Sequence, residues 1–143
     1  MSDVIGAWGA PPESLATLLV VEDEVLVRMH ISDYLRDCGY RVIEAASGDE
    51  ALVVLREPEL QVDMVLSDVE MPGETDGVAL ARWVRANTRG LPIVLVGTAS
   101  GAADAAAELC ESGPMLSKPY DPQILLDRIK RTLAERKPPQ ASG

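Results

Sequence analysis

Asp68 closes the apolar run Val65-Leu66-Ser67-Asp68, and the chain turns soon afterwards through Met71-Pro72-Gly73. An acid so placed stands at the carboxyl end of a buried strand, where open α/β sheets hold their sites. Two other apolar runs also end in charge. Leu18-Leu19-Val20-Val21 leads into Glu22-Asp23-Glu24, and Met115-Leu116-Ser117 leads into Lys118-Pro119. If the strands before Glu22 and Asp68 are neighbours, Glu22, Asp23 and Asp68 converge. Like charges about 4 Å apart repel by roughly 4 kcal/mol at an effective dielectric near 20. Such a cluster calls for a cation, and a hard divalent ion with oxygen ligands, Mg²⁺ above all, is its natural partner. Asp68 could then act as a nucleophile toward a phosphoryl group, giving an aspartyl phosphate. Mg²⁺, the point charge of Lys118 and a hydroxyl from Thr98 or Ser100 would share the charge spread over the phosphoryl oxygens.

Taken singly, each residue has a plainer use. Glu22 and Asp23 suit the dipole at a helix start, Asp68 a turn, Lys118 a solvated surface and Thr98 a strand end. Their joint placement on successive strand ends is what favours a site. The only histidine, His30, falls inside a helical segment and reads as a bystander. Cys38 and Cys110 form no metal-ligand spacing and read as reduced thiols.

The elements that must position these groups alternate. Continuous apolar or strand-like runs at 17–21, 41–45, 63–67, 93–96 and 114–117 read as strands buried on both faces. Between them, helical spacing covers 25–38, with Val27, Ile31, Leu35 and Cys38 inward and Gly39 as its stop. A capping box, Ser47-Gly48-Asp49-Glu50, opens a helix to about residue 56. Further helices are expected over 77–87, over an Ala-rich 101–110, and after Asp121-Pro122 with Leu125, Ile129 and Leu133 inward. Strict alternation implies an α/β fold, a parallel sheet with helices on both faces. The expected form is a flavodoxin-like (βα)₅ fold, its five strands in the order 2-1-3-4-5, in which strands one and three are neighbours.

At 143 residues the chain suits one domain, 15–136, between a Gly/Pro-containing arm, 1–14, and a tail, 137–143. The role of Trp8 in that arm is not set by the sequence. Hydrophobic residues make up 47% and Phe is absent, so the core must be aliphatic. A net charge of −10 argues against a nucleic-acid surface. With no signal peptide and no membrane-length apolar run, a cytoplasmic protein is expected.

The chain resembles the receiver domain of bacterial two-component response regulators. The carriers are Val20-Val21-Glu22-Asp23-Glu24, Ser47-Gly48-Asp49-Glu50-Ala51-Leu52, Leu66-Ser67-Asp68-Val69-Glu70-Met71-Pro72-Gly73, Asp76-Gly77 and Lys118-Pro119-Tyr120, with Tyr34 to Tyr40 between the first two. The resemblance implies phosphorylation of Asp68 by a histidine kinase or phosphotransfer protein. It implies Mg²⁺ held by Glu22 through water, Asp23, Asp68 and the backbone carbonyl of Glu70, and a cis Lys118-Pro119 bond. Two positions depart from the family pattern. The usual hydroxyl slot, five residues after the proline opening the fourth strand, is Gly97; the Thr98-Ala99 pair resembles the family's Thr-Ala, which assigns the role to Thr98, with Ser100 the alternative. The usual switch aromatic is replaced by Met115.

The expected protein is a stand-alone receiver, a phosphoacceptor switch rather than an enzyme. It would signal through a downstream protein target, through onward phosphorelay, or through a homodimer formed on phosphorylation. One alternative is a degenerate receiver that binds partners without phosphorylation. Another is a small aspartyl-phosphate phosphatase, disfavoured because the first strand ends Glu-Asp-Glu rather than Asp-x-Asp.

Overall fold

Strands without apolar/polar alternation need cover on both faces, which a parallel sheet between two helical layers supplies. In a computed structural model of the chain, which describes residues 16–97, 115–117 and 121–135, such a sheet forms. Its strands are β1 (Thr17–Val21), β2 (Arg41–Ala45), β3 (Met64–Asp68), β4 (Ile93–Gly97) and β5 (Met115–Ser117). They are parallel and lie in the order β2-β1-β3-β4-β5, so the connection reverses direction between β1 and β3. The described helices are α1 (Val25–Asp37), α2 (Gly48–Arg56), α3 (Gly77–Asn87) and α4 (Pro122–Glu135). The segments expected as an arm (1–14), a helix (101–110) and a tail (137–143) lie outside the described residues.

Alternate strand residues feed two aliphatic cores. Leu18, Val20, Met64, Leu66, Val94 and Val96 pack with Leu35 of α1 and Leu125 and Ile129 of α4. Leu19, Val21 and Val65 point the other way, onto Ala51 of α2 and Leu80 and Val84 of α3. Fully burying one such side chain contributes about 1.5–3 kcal/mol, so these two layers set the rigid floor of any site at the strand ends.

Local chemistry fixes the helix ends. Gly39, at φ 101°, lets the chain reverse after α1. Its N–H donates to the Arg36 carbonyl (2.9 Å) and that of Tyr40 to the Leu35 carbonyl (3.1 Å), closing the last turn. This places Cys38 at the cap, one residue beyond the helix rather than inside it. Ser47 Oγ caps α2 by accepting from Glu50 N–H (3.1 Å). Glu50 reaches back past the cap residue and accepts from Ala46 N–H (2.8 Å), a looser form of the expected reciprocal box. The Asp76 carboxylate caps α3 through Ala79 N–H (2.9 Å) and that of Asp121 accepts from Gln123 N–H (2.8 Å) at the start of α4.

Two strands depart from their expected limits by one residue. The third strand, expected over 63–67, is Met64–Asp68. Asp63 is instead occupied in tying down the start of β1: its carboxylate accepts from Thr17 N–H and its own N–H donates to the Thr17 carbonyl, both at 2.8 Å. β4 extends to Gly97, which pairs with Ser117.

Candidate functional site

Val21 of β1 lies opposite Ser67 of β3, so the residues leaving the two strands emerge side by side at the switch in strand order. Asp68 is the last residue of β3, and the N–H of Val69 still donates to the Val96 carbonyl (2.8 Å), keeping the strand end in register. Oxygens of Glu22, Asp23 and Asp68 lie within 4.8 Å of one another. Glu22 is 5% exposed and Asp68 9%, while Asp23 is half-buried. Burial weakens screening by water, so each close pair repels by roughly 4 kcal/mol at 4 Å and an effective dielectric of 20.

The backbone holds these acids in place. Asp68 Oδ1 accepts from Glu70 N–H (3.2 Å), and the Asp68 carbonyl accepts from Ser67 Oγ (2.9 Å). The Glu22 carboxylate accepts from Glu24 N–H (3.3 Å), and Glu22 N–H donates to the Ala45 carbonyl of β2 (3.1 Å). The loop from β3 to α3 is pinned in turn. Thr75 Oγ1 donates to the Asp49 carboxylate of α2 (2.7 Å). A Cβ at Gly77 would strike the Asp68 carbonyl and come within 2.7 Å of Val69 Cα, so only glycine admits this approach.

The donor set suits a hard divalent cation. Two oxygens bound directly to Mg²⁺ at about 2.1 Å are at most about 4.2 Å apart. Oxygens that all lie within 4.8 Å of one another are close enough for one such ion to be shared among the three carboxylates. The crevice lined by Glu22, Ser67, Asp68 and Val96 measures about 10 Å³, room for one water-sized group. The roomier clefts, of about 500 and 560 Å³, lie beside Arg85 and Arg131 and beside Arg41 and Asp63, away from the acids.

The structure thus gathers Glu22, Asp23 and Asp68 and places Glu70 directly against Asp68. Thr98, Ser100, Lys118, the Lys118-Pro119 bond and Cys110 lie outside the described residues, as does the side chain of Met115. His30 is exposed on α1, on a helix surface with no part in the cluster, and Cys38 is a free, half-buried thiol. The sequence reading missed Arg28, whose Nη1 donates to the Glu22 carbonyl (2.8 Å). Its one available signal was a cation one helical turn past an acidic triplet.

A family model described as the response regulator receiver domain matches residues 18–130. The chain is 40% identical over 125 residues to the sensor kinase CckA of Brucella abortus, covering 85% of this chain and 13% of that protein. It is 34% identical over 118 residues to the transcriptional regulatory protein ResD of Bacillus subtilis, covering 81% and 47%. A crystal structure of a response regulator receiver protein from Sinorhizobium medicae superposes with a TM-score of 0.78 at 26% identity, covering 87% of this chain and 99% of that one. The chain therefore spans less than half the length of these two curated relatives and nearly all of the solved receiver.

Proposed function

This chain belongs to the response regulator receiver domain family, and we propose from that premise that Asp68 is its phosphoacceptor in two-component signalling. The observation that carries the reading is the convergence of Glu22, Asp23 and Asp68 at the β1–β3 switch, with Asp68 held by Glu70 N–H. Mg²⁺ would be held by Asp23, Asp68, the Glu70 carbonyl and, through water, Glu22. Bound there, it would neutralise charge on the phosphoryl oxygens.

A carboxylate oxygen of Asp68 attacks the phosphorus of a phosphohistidine on a histidine kinase or phosphotransfer protein. The new bond joins Asp68 to phosphorus, the bond from phosphorus to the histidine nitrogen breaks, and the imidazole leaves on taking up a proton. Thr98 and Lys118 bind the remaining phosphoryl oxygens. Water later returns the carboxylate and releases phosphate, so the chain switches rather than turns over a substrate. Output passes to a protein partner, by docking, by onward transfer or by homodimer formation.

Acetyl phosphate with Mg²⁺ should give one phosphoryl adduct by intact mass, lost with chelator and lost in Asp68→Asn. An unmodified wild-type mass under conditions that label another receiver would favour phosphorylation-independent binding instead.

A further inference from the structure

We infer that Arg28 is a positioning residue for the acid cluster, fixing the Glu22-Asp23 peptide so that Mg²⁺ affinity depends on it. The inference rests on the Mg²⁺ reading above. Arg28 sits on the first turn of α1, where its N–H donates to the Glu24 carbonyl (2.9 Å). Its side chain folds back across the turn. Nη1 donates to the Glu22 carbonyl (2.8 Å) and Nε to Glu44 Oε1 on β2 (3.1 Å). The other Glu44 oxygen takes Arg36 Nη1 (3.1 Å), and Arg36 Nη2 donates to the Val42 carbonyl (3.0 Å). The Arg28 side chain is 16% exposed and that of Glu44 27%, so this fork is partly shielded from water.

Among the described residues, Glu22 is consequently held through its N–H by β2, through its carboxylate by Glu24 N–H and through its carbonyl by Arg28. Two of the three clustered acids are on this short connection, whose carboxylates must stay gathered against mutual repulsion. A planar guanidinium can serve Glu22 and Glu44 at once in fixed directions, whereas an ammonium cannot match both. Residues that orient metal ligands without touching the metal commonly alter affinity by about 10–100-fold.

Charge and position make opposite forecasts. If Arg28 acted only as a nearby positive charge, removing it would deepen the negative potential and tighten Mg²⁺ binding. If it positions the peptide, removal weakens binding. Calorimetric Mg²⁺ titration of wild type, Arg28→Met, Arg28→Lys and Arg36→Met separates the two, with metal-free melting temperatures alongside. We expect Arg28→Met to bind Mg²⁺ about tenfold more weakly and Arg28→Lys to recover part of the loss. Arg36→Met, which removes charge from the same network without touching Glu22, should bind as tightly as wild type or slightly tighter. Equal or tighter binding by Arg28→Met would overturn the inference, even if its melting temperature fell. If wild type itself took up no Mg²⁺, the reading of the cluster would fail first and the inference with it. Should Arg28→Met lose its cooperative melting transition, Arg28→Lys, which keeps the charge but not the planar fork, decides instead: weaker binding than wild type sustains the inference and unchanged binding overturns it.

Discussion

Asp68 carries its charge close to those of Glu22 and Asp23, because the backbone that positions it also gathers them. Asparagine at this position keeps an oxygen for Glu70 N–H while removing the repulsion. Asp68→Asn should therefore stabilise the metal-free protein by on the order of 1 kcal/mol, since half-buried Asp23 is partly screened. In the same variant the stabilisation by Mg²⁺ should nearly vanish. Thermal melts with EDTA and with Mg²⁺ test both statements, and a lower metal-free melting temperature would count against crowding of the acids. Ser32 is a second residue at odds with its surroundings: it is fully buried on α1 and its hydroxyl has no partner among the described residues. Ser32→Ala should raise stability by about 1 kcal/mol in urea denaturation, because a buried unsatisfied hydroxyl costs that much or more. A decrease would mean that the hydroxyl does find a partner in solution.

Elements were legible where their limits are set by neighbours in sequence. Ser47, Asp121 and Gly39 act within a few residues of themselves, so cap and stop signals located α1, α2 and α4 closely. The misses came from distant partners. Asp63 looks like the start of β3 until Thr17, 46 residues away, occupies it. Arg28 looks like a surface cation until Glu44, 16 residues on, appears beside it. The acid cluster itself was legible only because alternation, which implies a parallel sheet, was joined to the flavodoxin-like strand order, in which β1 and β3 are neighbours and their ends meet. Less visible was the fit between the end of β3 and the start of α3. A methyl at Gly77 meets backbone at Asp68 and Val69, which cannot swing aside as a flexible side chain would. Gly77→Ala should cost about 1–3 kcal/mol by overpacking. It should also slow labelling of Asp68 by acetyl phosphate, since the displaced atoms belong to the proposed phosphoacceptor itself. Normal stability together with a normal labelling rate would show that α3 can back away without disturbing the strand end.

Across the whole molecule, a layered aliphatic core supports a strand-end site whose occupancy should be linked to folding. Mg²⁺ at the proposed site would need the three acids gathered, so at a hundredfold excess over its dissociation constant it should add roughly 2.7 kcal/mol of stability. No described helix is long and apolar enough to cross a membrane. The net charge of −10 makes metal affinity sensitive to salt, which fixed ionic strength controls. The central claim is that the gathered carboxylates make Asp68 the atom donor for a phosphoryl bond, and its location can be read chemically. Protein labelled with acetyl phosphate and Mg²⁺ is reduced with borohydride, which converts an acyl phosphate to the alcohol, and its peptides are sequenced by mass. The account predicts the reduced side chain at position 68 alone. Label retained instead on His30, the sole histidine, or reduction at another carboxylate, would contradict it.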